Sequence, residues 1–164
     1  MRTSFRFATL ALLLTSFPVL AQDVVRYKIP GSDFPISAAV EVPAGKSIVF
    51  LSGVVPPVAN ASAAKGSLEA YGDTKTQTVG ALGAIEKQLK TMNLSMGDVV
   101  KMQVFLVGDP AKGGKMDFAG FMEGYRQYFG TAQQPKLPSR SAVQVAALAS
   151  PGFLIEIEVT AVRP

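Results

Sequence analysis

The sequence contains neither cysteine nor histidine, and these two absences exclude most familiar reaction types. Without cysteine the protein has no disulfide bond and no cysteine-linked lipid anchor, so its hydrophobic core must suffice for folding. Without histidine there is no Ser-His-Asp or Cys-His mechanism, no histidine zinc site and no imidazole general base. Any catalysis must therefore use Arg, Lys, carboxylates, Tyr, Ser or Thr hydroxyls, backbone groups and water.

The N-terminal segment has the pattern of a secretory signal peptide. Arg2 and Arg6 precede an apolar stretch that is too short for a membrane span, and the tripeptide VLA ends at Ala21. We predict cleavage after Ala21, so that residues 1–21 are the signal peptide. Residues 22–164 then form a single domain of a periplasmic or secreted protein.

The net positive charge of the mature chain is small, and its basic residues are not clustered in the sequence. The formal net charge of +4 falls to +2 on cleavage, because two arginines and no acidic residues leave with the signal peptide. Proteins that bind nucleic acid through its phosphates usually have a concentrated basic face. The absence of such a cluster argues against a nucleic-acid partner.

Strand and helix patterns after residue 22 predict the order β-ββ-α-β-α-ββ. The runs SAAVEV and SIVFLS flank a turn at residues 43–46 and predict a hairpin. The second run is apolar enough to indicate a strand covered on both faces. Residues 53–73 are rich in Pro, Gly, Ala and Ser, which indicates a long surface loop.

Two amphipathic helices are predicted, the first capped by Asp73 or Thr74 and the second by Asp117, with Gly130 at the end of the second. Their apolar stripes are Val79, Leu82, Ile85, Leu89 and Met92 in the first helix and Phe118, Phe121, Met122, Tyr125 and Phe129 in the second. The pattern predicts an α+β domain, with one sheet of about six strands and both helices on one face. The other sheet face is too apolar to meet water, which predicts a homo-oligomer.

Charged residues stand on the last two predicted strands. Arg140 opens one strand, and Glu156 and Glu158 lie in LIEIEVTAV, on the face opposite Ile155 and Ile157. One interpretation is that all three charges are solvated. The other is that they line a ligand cleft, because a guanidinium binds carboxylates bidentately and a buried carboxylate without a partner is costly. Periodicity alone leaves both open.

Six segments carry a resemblance to a known family: SIVFLSG, TQTVGALGAIEKQL, GDVVKMQVFLV, DFAGFMEGYRQYFG, LPSRSAVQVAAL and LIEIEVTAVRP. In this order and spacing, from about Pro35 to Arg163, the chain resembles the reactive intermediate deaminases (RidA or YjgF, in older naming L-PSP endoribonucleases). The resemblance implies a chorismate-mutase-like fold with a mixed sheet. It also implies a homotrimeric barrel with a cleft at each subunit interface. The family hydrolyses 2-imino and 2-enamino acids to 2-keto acids and ammonia, without metal or organic cofactor.

The resemblance also implies roles for individual residues. Arg140 would bind the substrate carboxylate, and Glu156 would hold and polarise the attacking water. Ser52 and Gly53 would line the pocket with a hydroxyl and a close backbone approach. Because a protonated imine is already electrophilic, the protein need only fix the acid end and orient a water.

Three further pocket positions depart from the pattern of the family. Ala142 stands where cysteine is frequent, so its backbone would place the substrate. Ile36 stands where tyrosine is common, and Met122 where asparagine is common. These replacements make the predicted pocket more apolar.

Several functions follow from this pattern. The first is an imine/enamine deaminase that acts on a small imino acid. The second is a non-catalytic trimeric binding protein for small carboxylates. Ribonuclease action is supported only by the older family name. The sequence has no histidine and no cluster of basic residues that would form a groove for RNA. A purely structural role leaves the P-x-R-S and I-E-I-E segments without a purpose.

Overall fold

A computed structural model describes residues 22–164, and the predicted signal peptide lies outside the described residues. Six strands form one mixed sheet in the order β1-β2-β5-β4-β6-β3. This confirms the predicted α+β class and the strand count. The strands are β1 (Val25–Lys28), β2 (Ser37–Glu41), β3 (Ile48–Phe50), β4 (Val99–Val107), β5 (Ser139–Val145) and β6 (Ile155–Val162).

Strand pairing corrects the predicted hairpin. β2 pairs with β1, antiparallel, and with β5, parallel, whereas β3 pairs antiparallel with β6 on the far side of the sheet. The segment that contains the turn at residues 43–46 therefore connects β2 to β3, which are not neighbours in the sheet. The sequence prediction was wrong because turn residues show only that the chain reverses. The partner of a strand depends on contacts that are distant in sequence.

β3 also differs from the predicted strand covered on both faces. It is an edge strand of only three residues, and Ile48 and Phe50 are 49% and 77% exposed in the single chain. Burial within one chain therefore explains the apolar composition of SIVFLS only in part, since Leu51 is buried in the core whereas Ile48 and Phe50 are exposed.

The predicted helix starts are confirmed. α2 (Thr74–Thr91) begins where the Asp73 side chain accepts a 2.8 Å hydrogen bond from Thr76 N, and α3 (Phe118–Tyr125) begins where Asp117 accepts one of 3.1 Å from Gly120 N. α3 ends at Tyr125, well before Gly130, because turn hydrogen bonds replace the helical ones after that residue. The predicted long loop contains a short helix, α1 (Leu68–Tyr71).

The hydrophobic core lies between α2, α3 and one face of the sheet. Its fully buried members include Leu82, Ile85 and Leu89 of α2, Phe121 and Tyr125 of α3, Met102 and Leu106 of β4, and Ile155 and Ile157 of β6. Burial of each such side chain stabilises the fold by about 1.5–3 kcal/mol. Gly124 lets the helices approach closely, since a Cβ there would lie 2.7 Å from Thr78 Cβ.

Arg26 fixes the chain just before β5. Its guanidinium donates to the carbonyl oxygens of Leu137 (2.7 Å), Gly97 (2.9 Å) and Val99 (3.0 Å). Ser37 adds hydrogen bonds to Leu137 O and Pro138 O. The entry to β5, two residues ahead of Arg140, is therefore held by several main-chain contacts.

The second face of the sheet carries no helix. On it, Gln103 of β4 pairs with Ser141 of β5, and both are exposed, as is Val143, at 48%. We call this surface the outer face. Within residues 22–164, no helix combines the length and apolarity needed to cross a membrane.

Candidate active site

Arg140 lies on the helix-covered face of the sheet. In the parallel pair of β4 and β5 it stands opposite Met102, whose side chain is fully buried beneath the helices. Side chains at paired positions of neighbouring strands point to the same face. The strand therefore directs Arg140 towards α3.

Four aromatic rings surround the guanidinium. Its central carbon lies 4.3 Å from the ring centroid of Tyr125, 4.8 Å from Phe121, 5.6 Å from Phe34 and 6.0 Å from Phe118. Rings at such distances attract a cation through their electron-rich faces. Burial lowers the pKa of Arg140, an effect that Tyr125 partly opposes. The group remains a cation, because no shift of ordinary size deprotonates arginine near neutral pH.

The guanidinium has few hydrogen-bond acceptors. Its Nη2 donates to the Met122 sulfur at 3.3 Å, a weak acceptor, and its buried Nη1 has no acceptor among the described residues. The Tyr125 hydroxyl donates to Pro35 O at 2.8 Å, and its oxygen is the neutral group through which Tyr125 opposes the lowering of the Arg140 pKa. Buried donors are normally satisfied, so a buried cation without a strong acceptor indicates an anion-binding role.

No carboxylate of the described chain neutralises Arg140. The two salt bridges within residues 22–164 join Lys75 to Glu123 and Lys90 to Glu86, and both pairs are on the surface. Burial also raises the pKa of Tyr125 to about 12, although Arg140 opposes that shift. The phenol beside Arg140 therefore stays neutral and supplies no counter-charge.

Three predicted pocket residues lie on the same face as Arg140. Met122 contacts the guanidinium directly and is 8% exposed. Ala142 stands opposite the buried Val104, and both Ala142 and Ile36 are half-buried against the core. The structure therefore groups Arg140, Met122, Ala142 and Ile36 on the helix side of the sheet.

Glu156 lies on the outer face. It stands opposite Phe105 of β4, between Ile155 and Ile157, which are fully buried on the helix side. The burial of β6 alternates along its length up to Ala161, which confirms that Glu156 and Glu158 share the face opposite the core. Both glutamates are half-buried rather than fully solvated.

Ser52 and Gly53 lie beside Glu156. Val54 and Ile157 exchange two main-chain hydrogen bonds of 2.9 and 3.0 Å, which holds Gly53 against β6. A Cβ on Gly53 would overlap the Glu156 carboxylate, whose carbon would lie 2.8 Å away. Glycine therefore makes room for this carboxylate. Ser52 is exposed and lines a 310 Å³ cleft on the outer face.

One chain thus contains two separate halves of the predicted site. Arg140 and its neighbours lie on the helix side, whereas Glu156, Ser52 and Gly53 lie on the outer side. Four surface clefts of 280 to 570 Å³ occur in residues 22–164, and none of these four is lined by Arg140 or Glu156. The largest lies near Tyr128 and Gln134, away from both charges. Arg140 and Glu156 do not share a site within one chain.

Sequence reasoning missed the aromatic surroundings of Arg140. The stripe of α3 was assigned to the core, which is correct for Phe121 and Tyr125, but these rings also contact the guanidinium. Phe34 was assigned no role. The signal present in the sequence was the i, i+3, i+7 spacing of Phe118, Phe121 and Tyr125. Nothing in that spacing shows which strand residue lies beneath the rings.

No group of three or more His, Cys, Asp or Glu side chains in the described part of the chain is arranged to hold a metal ion. The candidate site therefore consists of one guanidinium, one carboxylate, and hydroxyl and backbone groups. These groups can bind an acid and orient a water.

Comparison with known proteins places the chain among relatives of similar length. The family model described as Endoribonuclease L-PSP matches residues 30–163. A protein of Escherichia coli named "Putative reactive intermediate deaminase TdcF" is 32% identical over 136 residues, which cover 83% of this chain and 92% of that protein. The crystal structure of E. coli TdcF with bound serine superposes with a TM-score of 0.56 at 31% identity, over 87% of this chain and 99% of that one. A Yersinia pestis protein of the Rid family, YyfB, gives a TM-score of 0.60 at 26% identity, over 83% and 96% of the two chains.

Proposed function

Because the chain belongs to the Rid (YjgF, Endoribonuclease L-PSP) family of reactive intermediate deaminases, we propose that it hydrolyses 2-imino acids to 2-keto acids and ammonia. The observation that carries this proposal is the half-buried Arg140 guanidinium, which lies among aromatic rings and whose buried Nη1 has no acceptor. An α-carboxylate supplies the missing acceptor, and its planar geometry matches the guanidinium fork.

Hydrolysis needs only one water and a proton acceptor. With the substrate carboxylate on Arg140, water adds to the protonated imine carbon while Glu156 takes a proton from that water. Glu156 then gives this proton to the carbinolamine nitrogen. The C–N bond breaks as the carbinolamine hydroxyl loses its proton to Glu156 and the carbonyl forms, and the departing ammonia takes up that proton and leaves as ammonium together with the 2-keto acid. Fixing the acid end and the water lowers the entropic part of the barrier.

A second subunit is required to bring Glu156 to Arg140. The two groups lie on opposite faces of one sheet, so the carboxylate facing a given guanidinium belongs to a neighbouring copy. We propose a homotrimer whose outer faces, with the exposed side chains of Phe50 and Val143, turn inward and are covered. Residues 1–21 would act as an export signal, which would place this trimer in the periplasm or outside the cell.

The proposal is tested with mature protein and an imine generated in situ by an amino-acid dehydratase or oxidase. We expect the protein to accelerate release of the 2-keto acid well above the uncatalysed rate. A rate equal to that of the uncatalysed reaction, from protein shown to be folded and oligomeric, contradicts the proposal.

A binding function without turnover is the second candidate. The contact of Arg140 with the Met122 thioether, rather than with a hydroxyl or amide group, favours it, because this contact supplies no further catalytic group. Thermal stabilisation by 2-keto acids without imine hydrolysis supports this candidate. Ribonuclease action would require RNA binding, which filter binding at low salt would detect.

The position of Gly53 makes a specific prediction. Gly53→Ala is expected to lower kcat/KM by roughly 10- to 100-fold, because the added Cβ displaces the Glu156 carboxylate from its place. The melting temperature should change little, since the displaced group is the end of a flexible side chain. Gly97→Ala is the matched control, because its added Cβ meets only side-chain atoms at 3.3 Å or more, those of Gln134, Ser95 and Lys136. Unchanged activity in Gly53→Ala would contradict the placement of Glu156 in the site.

A further inference from the structure

The accessible surroundings of Arg140 are apolar. Of the four rings around the guanidinium, Phe121 and Tyr125 are fully buried, so a ligand cannot reach them without displacing other groups. Phe34 is 36% exposed and Phe118 is half-buried. Their rings stack with centroids 6.5 Å apart and planes inclined by 15°. A ligand on Arg140 therefore meets the Phe34–Phe118 pair.

Two further apolar side chains complete this surface. Met122 lies against the guanidinium, and Ile36 follows the Phe34–Pro35 segment and packs against the core. We call Phe34, Ile36, Phe118 and Met122 the apolar wall. The wall combines residues from the segment before β2 and from α3.

Two uncharged polar side chains on the helix side of the sheet already have partners. The Tyr125 hydroxyl donates to Pro35 O, and the Gln144 side chain accepts from Met116 N and donates to Gly114 O. A hydroxyl or amide on a ligand would therefore lose its water contacts without gaining a partner, which is costly. An apolar group would gain from burial.

Nearby charge also restricts the ligand. Arg126, exposed on the turn after α3, is close enough to contribute to lowering the pKa of Arg140. Two cations disfavour a ligand with a basic side chain. An acidic side chain is the remaining charged alternative, and it would have to reach Arg126 across the apolar wall.

We propose that the apolar wall binds the side chain of the substrate, and that the substrates are 2-imino acids with large branched or aromatic side chains. This inference rests on the proposed function, because it assumes that the substrate carboxylate lies on Arg140. It makes Phe34, Ile36, Phe118 and Met122 the residues that determine side-chain specificity.

The affinity for 2-keto acids tests the inference without requiring turnover. Titration calorimetry compares pyruvate, 2-oxobutanoate, 4-methyl-2-oxopentanoate, phenylpyruvate and 2-oxoglutarate. Each methylene buried on the wall is expected to lower Kd by about threefold to fourfold. The branched and aromatic acids should therefore bind at least about tenfold more tightly than pyruvate. Equal affinities, tightest binding of 2-oxoglutarate, or no binding at all would overturn the inference.

Variants identify the surface responsible. Phe34→Ser, at a partly exposed position that tolerates a polar side chain, should reduce the preference for phenylpyruvate over pyruvate to below about threefold, and Met122→Asn should act in the same direction. Val58→Ser is the control, because Val58 is 54% exposed in the loop that follows β3. An unchanged preference in folded Phe34→Ser would overturn the assignment to the wall.

The test of the apolar wall and the test of the proposed function can fail independently of each other. Protein that binds the acids in the expected order without accelerating imine hydrolysis supports the wall and contradicts the deaminase. Protein that hydrolyses small and large imines with equal kcat/KM contradicts the wall alone.

Discussion

Arg140→Ala is expected to lower kcat/KM for imine hydrolysis by about 100- to 1000-fold. The variant removes the cation that binds the substrate carboxylate, and a loss of 100-fold corresponds to about 2.7 kcal/mol of transition-state stabilisation. Charge-assisted bidentate hydrogen bonds are strong enough to account for this loss. Steady-state kinetics on an imine generated in situ provide the measurement.

Loss of stability should not explain this effect. Arg140 has a buried Nη1 without an acceptor and no ion pair, so truncation removes an incompletely satisfied cation together with its contacts to the rings. Arg140→Lys keeps the charge but loses the planar fork, and we expect an intermediate loss of about tenfold. Lys87→Ala is the control for loss of a positive charge, because Lys87 is exposed on α2 and makes no hydrogen bond or ion pair through its side chain in the described structure. Full activity in Arg140→Ala would contradict the proposed function.

Glu156→Gln is the second variant with a large expected effect, a loss of about 100-fold in kcat. Glutamine preserves the shape and burial of the side chain but cannot accept the proton of the attacking water. General-base catalysis typically contributes 100- to 10,000-fold. Because the substrate carboxylate still lies on Arg140, KM should change much less than kcat, and the two constants must be measured separately.

Glu158→Gln is the control for this variant. Glu158 lies on the same strand and the same outer face, two residues further on, and it is also half-buried. It lines the same cleft as Ser52, Lys101 and Gln103, but the carboxylate beside Gly53 is that of Glu156 and not that of Glu158. We expect its activity to stay within about twofold of the wild type. Equal losses in both variants would indicate a structural effect of the strand rather than a role of Glu156.

The positions of Arg140 and Glu156 on opposite faces permit a sharper test. Arg140→Ala and Glu156→Gln chains, co-refolded in equal amounts, should regain about a quarter of wild-type activity in a trimer, because each mixed trimer contains one interface with both intact residues. Two inactive variants whose mixture stays inactive would contradict a site shared between subunits. The separately refolded variants are the baseline.

Local sequence patterns predicted those parts of the fold that depend on neighbouring residues. Asp73 and Asp117 begin their helices as predicted, because a helix N-terminus needs a side-chain acceptor close in sequence. The alternation of Glu156 and Glu158 with Ile155 and Ile157 follows from the two-residue period of a strand. The hairpin was predicted wrongly, since strand pairing depends on hydrogen bonds to distant parts of the chain. The end of α3 was also predicted wrongly, because turn hydrogen bonds replace the helical ones after Tyr125.

In the candidate site, too, the sequence predicts the identity of residues, whereas their arrangement depends on contacts between distant segments. Family resemblance identified Arg140, Glu156, Ser52, Gly53, Ala142, Ile36 and Met122, but it did not show their arrangement. In the structure, Gly53 makes room for Glu156 and Met122 contacts Arg140. The Phe34 ring lies beside the guanidinium although Phe118 and Met122 are 84 and 88 residues away in sequence, so this arrangement depends on the packing of α3 on the sheet.

By itself, the sequence determined the chemical repertoire of this protein: with no cysteine or histidine, any catalysis depends on Arg, Lys, carboxylates, Tyr, Ser or Thr hydroxyls, backbone groups and water. It also determined the helix starts and the two faces of β6, because these depend on residues a few positions apart. Only the tertiary structure decided that Arg140 and Glu156 lie on opposite faces and that aromatic rings enclose the cation. The physical reason is that the strand register and the packing of α3 arise from contacts between distant segments, which local periodicity does not encode.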